Sequence, residues 1–409
     1  MRRKIIAFSI LFFLSAGIYL LLYHKDKSLN FIPENADAII LIDKKKLTRQ
    51  YLSAFITHPS EWFGKSSEDR EKGSVFDAGL KIPDFLQIFH LKNSKLTEWY
   101  SVFEIEDQEK LSVFLKERKF KKLGQNLYRK DQVYIKIENK KCFAGISGKI
   151  FDKIGKPLYK RFRDKNLNAD RFTGEGIGSF SFVSETRTRN FSIVLKDHEI
   201  EINNNSGVGN YASFISQLCK EDLFINAELD KENIKVFDKV LPDFFKDLHE
   251  VNYLKINAKL KQVNDTVISY GYDDDFNEIE QVSYQEIVQP DYIIQIETQN
   301  HEKTWNYFKS KKWINDKNEF IGIPFQPNKV YESDNNIVIK SMARQNWLSQ
   351  KKGQNFILIK NDPLLFSFFK GLNEFRFLKK TEYIFYENKG QNYFLKLKLK
   401  DEKLPLILQ

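Results

Sequence analysis

The sequence predicts an α+β protein: an N-terminal transmembrane helix, then two similar lobes of antiparallel sheet with packed helices. Three observations predict it. One apolar run opens the chain, a strand-then-helix unit recurs along it, and a stretch rich in Asn and Gly divides it near the middle.

The apolar run comes first. Arg2, Arg3 and Lys4 precede Ile5 to Tyr23, which is interrupted only by Ser9, Ser15 and Gly17. At 1.5 Å per residue such a helix is about 28 Å long, close to the hydrocarbon thickness of a bilayer. Ile5, Leu11, Phe12, Leu14, Leu20 and Tyr23 would meet lipid. The positive charge ahead of the run would keep a stub, residues 1–4, in the cytoplasm and send the rest across. A cleaved signal peptide is the competing reading. Against it, large side chains from Ile18 to Tyr23 fill the place of a small-x-small site, and Ile18 stands where a lipidated Cys would be. The expectation is therefore one crossing at 5–23, a linker at 24–30, and the membrane as partner.

Two lobes follow, expected at 31–205 and 210–409 on either side of Asn203 to Asn210 (NNNSGVGN). Asp37 to Asp43 reads as an apolar strand running into a helix in which Leu47, Tyr51 and Phe55 recur every four residues. The same order returns at Tyr100 to Glu106, with Leu111, Phe114 and Leu115 on the helix. It returns at Leu223 to Leu229, followed by Ile234 and Phe237, and at Tyr292 to Glu297, followed by Trp305 and Phe308. Each switch of period has an Asp, Glu, Asn or Thr beside it, where an N-cap is useful. Residues 100–155 and 291–375 both read β-α-β-β-β-α, an internal repeat in which Gln354 to Lys360 stands where Lys141 to Ile146 stands in the first copy.

Composition narrows the function classes. Over 409 residues, 65 Lys and Arg against 55 Asp and Glu give a net charge of +10, with 42% hydrophobic and 29% charged residues. That excludes disorder as the main state. Two Cys and six His exclude a disulfide-stapled scaffold and a multi-cysteine zinc fold. The His are scattered, with no H-E-x-x-H, G-x-S-x-G or P-loop pattern, so no catalytic, cofactor-binding or metal residue is assigned and no cofactor is expected.

Local clusters are read beside their plain alternatives. Asp273-x-Asp275-x-Asn277 matches the first half of a calcium loop, but Glu278 replaces the turn Gly and Tyr284 the bidentate Glu, so a solvated turn is expected. The basic run from Lys149 to Arg171 has Lys156, Lys160, Arg161 and Arg163 as its centre. It is the candidate contact for anionic lipid or another polyanion, beside the plain reading of a solvated helix face. Gly174 to Gly178 leads into a strand, so it is read as a flexible entry and not a phosphate cradle. Cys142 and Cys219 are taken as separate thiols.

Ile32-Pro33-Glu34-Asn35-Ala36-Asp37-Ala38, then a strand ending in Asp43, resembles the opening of the mature part in uncharacterised families of membrane-anchored bacterial envelope proteins. The resemblance implies location and fold style and carries no activity. The expectation is a non-enzymatic binding or scaffold ectodomain on the periplasmic or extracellular side of a bacterial cytoplasmic membrane. Its contact site would be the groove between lobes, its partner an envelope protein, with export disfavouring nucleic acid. The rivals are an envelope hydrolase or transferase assembled from distant residues, marked by a buried carboxylate–His or Ser–His pair, and a polyanion-binding module on 149–171.

Overall fold

The computed structural model describes residues 12–13, 15–61, 78–95, 97–149, 151–154, 169–184, 188–204, 211–240, 251–323, 328–333, 336–341, 353–368, 376–401 and 404–408. They fall into two compact units, Met1–Asn204 with Glu402–Gln409, and Asn205–Asp401.

In the first unit, β1 (Ala36–Asp43) ends in the residue that starts α1 (Lys44–Thr57). The Asp43 carboxylate accepts the Lys46 N–H at 2.8 Å. Next come β2 (Leu80–Lys81), β3 (Phe85–Leu91) and β4 (Trp99–Ile105). Asp107 then caps α2 (Gln108–Glu117), accepting the Glu109 and Lys110 N–H groups at 3.0 Å. β5 (Lys121–Lys122), β6 (Leu127–Lys130), β7 (Val133–Glu138) and β8 (Lys141–Gly145) form a meander. After the short α3 (Phe151–Ile154) and α4 (Asp170–Thr173) come β9 (Gly178–Val183), β10 (Thr188–Leu195) and β11 (Glu199–Asn203). All pairings are antiparallel, and the order is β5-β6-β7-β8-β4-β3-β1-β9-β10-β11, with β2 beside β3 on β4. Ile39, Leu41, Phe89, Tyr100 and Phe143 form the core on one face. Side chains alternate across a strand, so Cys142 faces the other way, where Leu111 and Leu115 of α2 cover it.

The second unit starts with α5 (Ala212–Lys220), β12 (Ile225–Asp230) and α6 (Lys231–Val240). Asp230 starts α6 as Asp43 starts α1, accepting the Asn233 N–H at 2.9 Å. β13 (Val251–Tyr272) and β14 (Glu278–Thr298) form a hairpin, and Asn300 caps α7 (His301–Ser310) through the Lys303 N–H at 2.9 Å. The remaining elements are β15 (Glu319–Phe320), β16 (Asn328–Ser333), β17 (Asn336–Lys340), β18 (Asn355–Lys360), α8 (Leu365–Phe368), α9 (Arg376–Lys380), β19 (Thr381–Lys389) and β20 (Asn392–Leu399). Their order is β15-β16-β17-β14-β13-β12-β18-β19-β20, again antiparallel throughout. Leu254, Ile296, Phe308, Ile337 and Ile339 pack together, and Leu218, Phe356, Phe385 and Phe394 form a further cluster.

Set β5 aside and the two orders coincide strand for strand, with the capped helices at the same steps. Helix ends agree as well. α2 and α7 both finish with a lysine in left-handed conformation, Lys119 at φ 59° and Lys312 at φ 58°. In each the following aromatic N–H reaches back five residues, Phe120 to Leu115 and Trp313 to Phe308, both at 2.9 Å. This is a Schellman ending that satisfies otherwise orphaned carbonyls. Between Asp107–Phe120 and Asn300–Trp313, Glu109/Glu302, Lys110/Lys303, Lys116/Lys309 and Lys119/Lys312 are identical at equal steps. The correspondence is therefore wider than the expected repeat and registered differently. The hairpin β16–β17 matches β7–β8, while residues 355–360 form β18, the match of β9.

Two expectations need correction. Antiparallel sheet dominates the fold, and among the described residues no helix is long and apolar enough to cross a membrane. That overturns the transmembrane helix expected at 5–23. Residues 12–13 and 15–22 are helical; Phe12, Leu20 and Tyr23 are exposed, and Ile5, Leu11 and Leu14 lie outside the described residues. The described helical stretches, 12–13 and 15–22, are shorter than the roughly 18 residues a span requires, and α1 takes the last carbonyls of the second one. Lys45 donates to Leu20 at 3.0 Å and to His24, Arg49 donates to Leu22, and the Arg49 guanidinium lies 4.6 Å from the Tyr23 ring centroid. Donors at a helix C-terminus replace the next turn of hydrogen bonds. Second, α1 buries no side chain completely and leaves Tyr51 exposed, against its expected inward stripe.

Candidate binding surface

The hairpin of the second unit begins inside the sheet and ends outside it. Its lower part, up to Leu260 on β13 and down to Tyr292 on β14, is buried by β12 and β17. Pro290 lies opposite Leu260 at the point of departure. It has no N–H to give, which suits a strand beyond its last neighbour. The root is held by polar contacts: the buried Asp291 carboxylate lies 2.6 Å from Lys261 Nζ and accepts the Ser341 hydroxyl at 2.6 Å.

Beyond the root the two strands pair one to one from Val263↔Ile287 to Tyr272↔Glu278. Nine residues, Asn264 to Tyr272, extend this ribbon by about 30 Å, and no side chain from Asn264 to Glu286 is buried. Cross-strand partners lie on one face of a sheet, so the register sorts the residues. One face carries Thr266 with Tyr284, Ile268 with Val282, Tyr270 with Glu280, and Tyr272 with Glu278. The opposite face carries Asp265 with Gln285, Val267 with Ser283, Ser269 with Gln281, and Gly271 with Ile279. Tyr270 is 68% exposed, Tyr284 76%, and Phe276 in the turn 86%. An apolar, aromatic face thus stands in solvent on a two-stranded ribbon, an element that is marginally stable on its own.

The turn explains the acidic cluster. Asp273 Oδ1 accepts the Asp275 N–H at 2.9 Å and the Asn277 N–H at 2.8 Å, and its other oxygen accepts Asn277 Nδ2 at 3.1 Å. These bonds, the Asn277 N–H foremost, hold the Asp273 carboxyl below the usual carboxylate range. The carboxylate closes the turn, as the plain reading expected. Among the described residues no cluster of His, Cys, Asp and Glu has the arrangement of a metal site. Charge sets the ribbon apart: Val263 to Ile287 holds seven Asp and Glu and no Lys or Arg, in a chain of net +10.

The centre of the expected basic contact, Lys156, Lys160, Arg161 and Arg163, lies outside the described residues. The glycine run leads into β9. A Cβ on Gly176 would stand 2.3 Å from the Ile193 carbonyl oxygen, so close strand approach requires that glycine. Cys142 and Cys219 are free thiols, and burial pushes Cys142 up to about 12, far from reactive thiolate.

One arrangement has the residue types of a hydrolase. His90 Nδ1 lies 2.6 Å from Asp37 Oδ1, and Nε2 lies 3.0 Å from Ser94 Oγ. Nε2 also sits 2.9 Å from the Lys95 carbonyl, which only accepts, while the Ser94 hydroxyl donates to the Leu91 carbonyl at 2.8 Å. The Lys95 carbonyl thus competes with Ser94 for Nε2, and the Leu91 carbonyl competes with Nε2 for the serine proton, so the geometry serves a structural network as readily as a triad. These bonds tie the β3–β4 connection to β1.

No protein-family model, curated protein or solved structure matches this chain. The ribbon's faces were missed in the sequence because residues 278–291 were not read as strand. Their alternation after a D-D-D-x-N turn was the available signal.

Proposed function

We propose that this chain is a non-enzymatic binding or scaffold protein that engages a protein partner through the apolar face of the 263–287 ribbon. One observation carries the reading. The first unit builds the same strand order with a β3–β4 hairpin of seven residues per strand, so the sheet does not require the ribbon. A β-rich partner surface would bury Ile268, Tyr270, Val282 and Tyr284 together. Each such side chain contributes about 1.5–3 kcal/mol when fully buried. Aromatic anchors surrounded by polar groups are the usual centre of such contacts.

The test uses a photo-crosslinking amino acid in the full chain, placed at Tyr284 on the apolar face or at Ser283 on the polar one. The expected result is a discrete protein adduct from position 284 and little from 283. Equal yields from both faces, or none from either, sink the reading.

A further inference from the structure

Building on the binding role proposed for the ribbon, we infer that its partner is a second copy of this chain, whose basic surface at residues 116–141 receives it. That surface is the ribbon's electrostatic complement. Between Lys116 and Lys141 there are ten Lys and Arg against three Asp and Glu, a net +7, where the ribbon carries net −7. The acidic ribbon and the basic patch are each far from the chain average.

The patch has a shape that suits the ribbon's tip. Where α2 turns into β5 and β6 turns into β7, a cavity of about 320 Å³ is lined by Lys119, Lys121, Leu123, Arg129, Lys130 and Asp131. Leu123 and the neighbouring Val133 are exposed apolar side chains, 54% and 44%. The left-handed turns at Lys119 (φ 59°) and Asp131 (φ 52°) set its rim. Phe276, the most exposed large apolar side chain of the ribbon, stands between Asp275 and Asn277, with Asp274 and Glu278 a step further out. An aromatic ring flanked by carboxylates matches an apolar wall flanked by cations, through ion pairs and cation–π contact. The cavity is also at the sheet's free edge. Among the described residues β5 pairs only with β6 in its unit, and lysines there guard the edge against pairing in general while leaving it open to an acidic strand.

Such a contact joins two different surfaces of one molecule, so it propagates: each copy offers one ribbon and one patch, and copies add head to tail. A ribbon about 30 Å long and about 10 Å wide covers little area, which assigns the contact to the weak class below about 1,200 Å². Assembly is then expected at micromolar concentration and low salt, and charge screening loosens it.

The experiment is sedimentation velocity of the full chain across a concentration series at low and high salt. The expected result is concentration-dependent growth that salt reduces. A ribbon-reversed variant (Asp274→Lys, Asp275→Lys, Glu278→Lys) and a patch-reversed variant (Lys119→Glu, Lys121→Glu, Lys130→Glu) should each weaken assembly at least about 10-fold. All six positions are exposed, and unchanged thermal unfolding checks that both variants fold. Mixing the two variants restores association, because the unaltered ribbon of one meets the unaltered patch of the other. A parent that stays monomeric throughout, reversed variants that assemble like the parent, or a mixture that stays apart overturns the inference. If the parent is monomeric while position 284 still yields a discrete adduct with another protein, the ribbon reading stands and the self-partner falls.

Discussion

Two hairpins at the same step of the same strand order differ threefold in length. β3–β4 has seven residues per strand and ends at the sheet, whereas β13–β14 has 22 and 21 and continues past it. The first unit therefore serves as an internal control for the second. What both share is what the sheet requires; what only one has answers to something else. The same comparison reaches inside the sheet. Counting back from the caps Asp43 and Asp230, Leu41 corresponds to Glu228 and Ile39 to Asn226. The first unit fills this row with apolar side chains, and opposite them Gln87 and Phe89. The second fills it with Glu228 against Lys255 at 2.9 Å and Asn257 donating to Asn226 at 3.0 Å, all buried. One strand order thus supports a mainly apolar central row, with Gln87 its polar member, and a wholly polar one.

The largest expected effect tests that row. Glu228→Leu alone leaves the Lys255 ammonium buried without its carboxylate and should cost about 3–5 kcal/mol of stability in urea unfolding. Restoring the apolar solution at both places, Glu228→Leu with Lys255→Leu, should recover much of that loss. A double variant as unstable as the single would mean that the polar row is tied into its unit by more than this ion pair.

The next effect is pH-dependent. Glu387 is buried between Phe356 and Phe394 on the neighbouring strands, and burial pushes its carboxyl from the ordinary 4.5 up to about 7. The folded chain therefore keeps this proton after the unfolded chain has lost it. Stability from this group is complete below about pH 4.5 and is lost as pH rises through about 7, a span of about 3 kcal/mol. Glu387→Gln removes that slope and gains stability at neutral pH; unfolding at pH 5 and pH 8 measures both.

Caps come third. Asp107→Ala removes a half-buried N-cap and should cost about 1 kcal/mol. Asp43→Ala should cost more, about 2 kcal/mol, because Asp43 is buried and also holds Lys25 at 2.6 Å. Equal losses would show that the cap alone matters at both places. The smallest expected effect is the most telling one. Replacing residues 263–287 by a two-residue turn between the paired Gln262 and Val288 should leave the thermal midpoint of the chain within about 2 °C, as the short hairpin of the first unit implies. A large loss of stability would make the ribbon part of the fold.

Much of the local structure was legible. Asp43, Asp107, Asp230 and Asn300 lie where period 2 gives way to period 3.6, and each caps the helix that follows. The inward Leu111, Leu115, Ile234 and Phe308 followed from spacing alone. Other readings failed for reasons of range. The 5–23 run has the composition of a membrane span, but composition cannot register how long a helix forms, nor that Lys45 and Arg49 reach the carbonyls at its end. Tyr51 recurs at a helical interval yet is 44% exposed, its ring stacked on Phe55 of the same helix. Asp37, His90 and Ser94 come together only when β1 and β3 pair, and the Lys95 carbonyl joins them at the same ring nitrogen as Ser94.

Taken alone, the amino-acid order determined what short-range physics determines: where strands hand over to helices, which residues cap them, where charge accumulates and where it is missing. Tertiary structure decided how strands sixty or more residues apart pair, that both units repeat one order, and that the Tyr270–Tyr284 face is bare. Alternating residues look the same whether a core covers them or water does, because the pleat turns them to one face and only the rest of the chain can supply the cover.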